Sequence, residues 1–179
     1  MLTNLQRQKS IKLFSMYDVN NNGTLQLDDL EIVVYNLATI RSWNVSSGKC
    51  KILLEKFAYE WMRLKGQIDV DRDGKISLDE WLAYHEKILV EQRQNTTWVS
   101  FIFDALDEDM NGHLCKKEWQ DLFKAHHIPT VYVDEIFAKL DADGNGYLSK
   151  EEVIERLNEF YFSNDPTAIG NCMFGAYTW

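Results

Sequence analysis

The chain has 179 residues, 45% of them hydrophobic and 13% aromatic, with a formal net charge of −9. That length suits one compact domain or two small lobes, and the apolar fraction excludes wholesale disorder. The acidic balance excludes a general binder of nucleic acid or of an anionic membrane surface, because phosphate attracts the opposite sign.

Taken in order, Met1–Lys9 lacks the apolar run of a signal peptide, and Leu2 excludes N-myristoylation. No stretch approaches the roughly 18 apolar residues of a membrane span. Leu13, Phe14 and Tyr17 form one helical face leading into Asp18–Asp29, which reads Asp-Val-Asn-Asn-Asn-Gly-Thr-Leu-Gln-Leu-Asp-Asp. Leu30 and Val34 begin the helix that leaves it. Arg41–Lys49 is a polar break, and the long amphipathic helix after it carries Phe57, Trp61 and Leu64. That helix leads to Asp69–Glu80, Asp-Val-Asp-Arg-Asp-Gly-Lys-Ile-Ser-Leu-Asp-Glu, and Lys65 and Gly66 are predicted to disturb it. Trp81 and His85 follow. Glu91–Thr97 is the best boundary between halves, with Thr96 or Thr97 able to cap the next helix. Residues 1–92 and 93–179 are therefore each read as a pair of units.

In the second half, Ile102, Phe103 and Leu106 lead to Asp107–Glu118, Asp-Glu-Asp-Met-Asn-Gly-His-Leu-Cys-Lys-Lys-Glu. Trp119 and Phe123 leave that loop, and Pro129 breaks the chain. Ile136, Phe137 and Leu140 lead to Asp141–Glu152, Asp-Ala-Asp-Gly-Asn-Gly-Tyr-Leu-Ser-Lys-Glu-Glu, followed by Val153 and Leu157. Ser149 and Glu152 have capping-box spacing for that last helix, which Pro166 terminates. The tail at 163–179 carries Met173, Phe174, Tyr177 and Trp179, and is expected to dock in a groove rather than hang in water.

The four loops share one grammar, that of an EF-hand. A lone Asp/Asn/Gly run also reads as a solvated turn. Four in-register copies with repeated apolar flanks do not. Oxygens stand at positions 1, 3 and 5: Asp18, Asn20 and Asn22; Asp69, Asp71 and Asp73; Asp107, Asp109 and Asn111; Asp141, Asp143 and Asn145. Glycine holds position 6 each time. Position 7 is Thr24, Lys75, His113 and Tyr147, a scatter expected where only the main-chain oxygen binds. Position 12, which closes the cage with two oxygens, is Asp29, Glu80, Glu118 and Glu152. A hard cation needs six to eight oxygens at one point, so calcium is predicted, three to four ions in all. Asp29 is one methylene shorter than Glu, which favours six-coordination and makes the first loop the best candidate for magnesium. Cys115, at position 9, offers a soft sulfur that a hard cation ignores.

An aliphatic residue at position 8 of every loop (Leu25, Ile76, Leu114, Leu148) predicts antiparallel bridges between first and second, and third and fourth loops. The fold class is therefore all-α: four helix–loop–helix units in two pairs forming one globule. Three widely spaced cysteines, Cys50, Cys115 and Cys172, read as reduced thiols in a cytoplasmic protein. Phosphate-binding, zinc-protease and serine-hydrolase signatures are absent, so no enzyme is expected. His126-His127 reads as a partly buried helix end, because adjacent helical residues point apart. Trp61, Trp81, Trp98 and Trp119 read as core.

The long first interval, the first loop ending in Asp, and the stretch Phe160–Gly175 resemble the sarcoplasmic calcium-binding proteins and calexcitin. The resemblance implies two pairs packed face to face, a tail covering the interior, and calcium binding even at a loop that ends like Asp29. Members commonly act as calcium buffers, and calexcitin in signalling. A monomeric calcium buffer or signalling protein is therefore expected. The alternatives are a sensor that releases the tail and grips a protein target when calcium-loaded, and a luciferin-binding protein or photoprotein.

Overall fold

The computed structural model describes residues 1–91 and 96–175, with side chains at 1–91 and 99–175. The break between residues 92 and 93, the side chains of Thr96, Thr97 and Trp98, and Tyr177 and Trp179 of the tail lie outside the described residues. Four helix–loop–helix units run in order: α1 (Asn4–Tyr17) and α2 (Leu27–Ile40), α3 (Gly48–Ile68) and α4 (Leu78–Glu91), α5 (Thr96–Leu106) and α6 (Lys116–Ala125), α7 (Val133–Leu140) and α8 (Lys150–Phe162). Each loop contributes a short strand: β1 (Thr24–Leu25), β2 (Ile76–Ser77), β3 (His113–Cys115) and β4 (Tyr147–Ser149). Their pairing is antiparallel, with Leu25 opposite Ile76 and Leu114 opposite Leu148. The predicted bridges therefore form, and all four position-8 residues are buried against the core.

One expectation fails. Helix α3 runs unbroken for 21 residues through Lys65 and Gly66 to Ile68. The Lys65 carbonyl accepts from the Asp69 N–H at 2.9 Å, so the helical ladder reaches the loop itself. An exposed glycine in a helix costs only about 1 kcal/mol. Phe57, Trp61 and Ile68, all buried on one face of α3, outweigh that. The predicted capping box on α8 is present, with the Ser149 hydroxyl accepting from the Glu152 N–H.

The halves meet through α2 against α6 and through α1 against α8, while α1 against α4 packs within the first pair. One continuous apolar cluster includes Leu13, Val34, Phe57, Phe103, Trp119 and Leu157, and so crosses between the pairs. Trp61, Trp81 and Trp119 are buried in it, as expected, and the Trp81 indole donates to the Ser10 carbonyl at 2.9 Å. Of the histidine pair, His126 is wholly inside, its Nδ1 3.1 Å from the Met16 carbonyl, while His127 is exposed.

The tail docks. After α8 the chain turns back at Ser163, well before Pro166, and a 3₁₀ turn at Ile169–Cys172 lies on α8 and α7. Met173 and Phe174 are buried, and Phe174 meets Phe160 edge-on with 5.1 Å between centroids. Lys9 of α1 fastens this corner. Its buried ammonium donates to the Ser163 carbonyl at 2.8 Å and the Asn171 amide oxygen at 3.1 Å. Lysine near a helix C-terminus complements the exposed carbonyls there. Gly170 presses against α8 so closely that a Cβ would lie 2.2 Å from the Arg156 carbonyl. Gly170→Ala therefore is expected to lose about 1–3 kcal/mol of unfolding free energy through overpacking, measured by denaturant melts.

Burial holds two histidines well below their ordinary value. His85 lies between Trp81 and Tyr161, and burial lowers its pKa from 6.5 to about 4; His126 is lowered likewise to about 4. The unfolded chain takes up these protons first. Their contribution is therefore complete above pH 6.5 and drains as pH falls toward 4. In calcium-saturated protein, His85→Phe should lose about 2 kcal/mol less than wild type on acidification from about pH 7 to 5. Parallel losses in the two proteins would show that His85 does not titrate this way.

Candidate metal centres

Each loop begins as a helix ends. Asp18, Asp69, Asp107 and Asp141 all cap the preceding helix through their backbone N–H, at 2.8 to 2.9 Å from the carbonyl four residues earlier. Their side chains then accept from the position-6 glycine N–H, for example Gly23 to Asp18 at 2.9 Å and Gly74 to Asp69 at 3.1 Å. That turn needs the left-handed region, and φ is +83° to +91° at Gly23, Gly74 and Gly146. Position 4 is left-handed too: Asn21, Arg72 and Met110 adopt φ of 56°, 61° and 58°, with Gly144 the glycine of the set. The sequence carries a signal for that in Gly144 and Asn21, not in Arg72 or Met110.

The third and fourth loops are near copies. In the third, Asp107 and Asp109 accept from the Asn111 N–H, and the Asn111 amide oxygen accepts from the His113 N–H at 2.8 Å. In the fourth, Asp141, Asp143, Asn145 and Tyr147 repeat this with distances within 0.1 Å. Carboxylate oxygens of Asp107, Asp109 and Glu118 lie within 4.8 Å of one another, as do those of Asp141, Asp143 and Glu152. In the second loop the corresponding trio is Asp69, Asp71 and Asp73, without Glu80. One Asp69 carboxylate oxygen there is buried with no hydrogen-bond partner. A buried, unpaired carboxylate oxygen among like charges is costly unless a cation accepts it, so the donor set fits a hard divalent ion. The side chains of Lys75, His113 and Tyr147 point to solvent, consistent with a main-chain role at position 7.

The closing carboxylates differ in an informative way. Glu80 accepts from the Val70 N–H at 2.8 Å, Glu118 from Glu108 at 2.8 Å and Glu152 from Ala142 at 2.9 Å, each donor being position 2. Asp29 is shorter and reaches instead the N–H of Asn20, position 3, at 3.3 Å. Its other oxygen accepts from the Gln26 N–H. Burial pushes the Asp29 carboxyl up, only partly offset by those two N–H groups. At Glu80 and Glu152 burial acts in the same direction but is outweighed. The N–H and hydroxyl of Ser77 and Ser149 respectively, with N–H groups of the loop start, hold both carboxyls low. In the first loop Asn20 and Asn22 supply amide oxygens where the second has carboxylates. Asn22 accepts from both the N–H and hydroxyl of Thr24.

Comparison with known proteins agrees with this geometry. The EF-hand domain pair family matches residues 7–86 and 96–157, covering both pairs of loops. Sarcoplasmic calcium-binding proteins I, III and IV of Branchiostoma lanceolatum are 26% identical over 144 residues, 73% of this chain and 78% of theirs. A sarcoplasmic calcium-binding protein structure from amphioxus superposes with a TM-score of 0.79 at 22% identity, covering 99% of this chain and all of that one. The coelenterazine-binding protein of Renilla muelleri, in its calcium-loaded apo form, gives 0.78 at 21% identity over 98% of this chain and all of its own. The chain therefore belongs to the EF-hand family, as a calcium-binding protein similar to the sarcoplasmic calcium-binding proteins.

Proposed function

We propose that the protein is a cytoplasmic calcium buffer or calcium signalling protein, monomeric and without enzymatic activity, whose apolar interior stays closed when the loops fill. Binding is assigned to the side chains at positions 1, 3, 5 and 12 of all four loops and to the position-7 carbonyls, three to four calcium ions in total. Residues 1–92 and 93–179 act as the two pairs. The observation that carries this reading is the docked tail: Met173 and Phe174 are buried in the core, so the apolar interior is already covered. Met62 and Met110 are exposed singly, unlike the methionine-lined groove of a promiscuous target binder.

A small-molecule carrier is the second reading, supported by an interior cavity and by the fold shared with the coelenterazine-binding protein. The cavity lies among Met16, Phe103, Trp119, His126, Tyr161 and Phe174, and Trp119 Nε1 is buried without a partner. Its free space is about 40 Å³. A water needs only about 10–15 Å³ on that measure, so about three waters fit and a multi-ring ligand does not. The buffer reading ranks first on this ground.

The carboxylate clusters repel one another in the absence of metal, so calcium should raise the unfolding temperature by more than about 10 °C. Superposable melting curves with and without calcium would defeat this. Calcium titration calorimetry with and without millimolar magnesium should count three to four sites, with magnesium competing most at the first loop; fewer than three sites would overturn the ligand assignment. Asp29→Glu should restore bidentate closure and shift the first loop from magnesium toward calcium, measured in the same titration. A dye that fluoresces on exposed apolar surface should respond little to calcium, whereas a large rise would favour a sensor that frees its tail for a protein target.

A further inference from the structure

Arg41, which ends α2, sends its side chain out of its own unit and into the third one. The guanidinium is fully buried. Its Nε donates to Asp121 Oδ2 at 2.9 Å and lies 3.6 Å from Glu108 Oε2. Nη2 donates to the Leu106 carbonyl at 2.7 Å and Nη1 to the Ala105 carbonyl at 3.3 Å. Those carbonyls end α5, where helical partners run out and a cation is favoured. Asp121 stands on α6, three residues beyond Glu118. One side chain therefore grips both helices that flank the third loop.

Glu108 makes the link to the binding site direct. It occupies position 2, where the other loops have Val19, Val70 and Ala142. Its carboxylate turns away from the loop centre to Arg41 and accepts from the Trp43 indole at 2.9 Å, with Lys117 at 3.8 Å. Its backbone N–H donates to the closing carboxylate of Glu118 at 2.8 Å. Arg41 and Trp43 thus hold the residue that holds Glu118. At its other end α2 begins just before Asp29, the closing carboxylate of the first loop, in the first turn of the same helix.

We propose that Arg41 is a positioning residue for calcium binding at the third loop, and that through α2 it couples the first loop to the third across the two pairs. The proposal rests on the reading of both loops as metal sites. A coupling of this kind requires contacts that differ between filled and empty loops, and it is reciprocal. Arg41 makes its contacts when the end of α5, Glu108 and Asp121 stand in the ligand-ready arrangement, so filling either loop favours the other. Simple electrostatics gives the opposite sign, since removing a cation near the third loop should tighten calcium there. The two are separable by experiment.

The test is a calcium titration of the full chain followed at the backbone amides of Gly112 and Gly146, which donate to Asp107 and Asp141 and so report the third and fourth loops separately. Arg41→Lys keeps the charge but loses the multiple grip, and should weaken calcium at Gly112 by about fivefold or more while Gly146 is unchanged. Trp43→Phe, which removes the indole N–H that holds Glu108 and changes no charge, should act in the same direction. Asp29→Asn should weaken the Gly112 response in the wild-type background and not in Arg41→Lys. A Gly112 response that is unchanged, tightened, or weakened equally with Gly146 overturns the positioning role alone. Equal Asp29→Asn effects in the two backgrounds overturn the coupling. A wild-type Gly112 amide indifferent to calcium would overturn the calcium reading of the third loop and the proposal with it.

Discussion

The carboxylate at position 12 joins two backbone segments that would otherwise move independently. One oxygen accepts from the start of the loop and the other from position 9, as Glu80 does from Val70 and Ser77. That fixes the outgoing helix against the incoming one before any ion is counted. It also places an acidic group in the first turn of each outgoing helix, where the helix dipole favours it. The cation then relieves a repulsion that the backbone hydrogen bonds only partly offset. Everything downstream, including the antiparallel bridges at position 8 and the angle at which apolar faces meet, follows from that closure.

The apolar interior depends on a second fastening that has no metal in it. Helix α1 is tied at its start to the far end of the chain. Thr3 donates to Asn164, Gln6 donates to the Phe162 carbonyl, and Lys9 reaches Ser163 and Asn171. Burying the Lys9 ammonium lowers its pKa to about 8, a cost that desolvation imposes and the nearby Glu159 only softens. A buried cation persists because three oxygens meet it, the carbonyls of Glu159 and Ser163 and the Asn171 amide oxygen, just ahead of the buried Met173 and Phe174. The tail is thus held by the N-terminal half while it covers the C-terminal one, which binds the two pairs into a single unit.

Much of this was legible in the residues. Loop spacing, the aliphatic position 8, the Ser149–Glu152 cap and the docking tail all follow from local rules, and each appears as expected. What escaped is what local rules do not reach. Lys65 and Gly66 look like a break because propensity is a weak prior, and the face made by Phe57, Trp61 and Ile68 overrides it. The left-handed residues Arg72 and Met110 are invisible because nothing in their side chains favours that conformation, unlike Asn21 and Gly144. Arg41 sits in what reads as a polar break, and only the packing of α2 on α6 shows that its charge is internal. His126 looked like a partly buried helix end, yet it bridges to Met16, 110 residues away.

The four loops are not equivalent, and the difference follows pairing rather than spelling. In each pair one closing carboxylate is almost wholly buried, Asp29 in the first and Glu118 in the third, while its partners Glu80 and Glu152 keep contact with solvent. The partly exposed two have serine at position 9, whose hydroxyl stabilises the carboxylate without metal. The buried two have Gln26 and Cys115 there instead, so a cation has more to contribute at those positions. They are also the two loops whose helices, α2 and α6, meet at the interface between the pairs. A loop can therefore lack the richest set of carboxylates and still be the one whose filling matters most to the rest of the molecule. By that reasoning Asp69–Glu80, the loop with the most carboxylates, is the less strongly connected of its pair, and the linkage proposed above falls to the poorer loop at Asp18–Asp29.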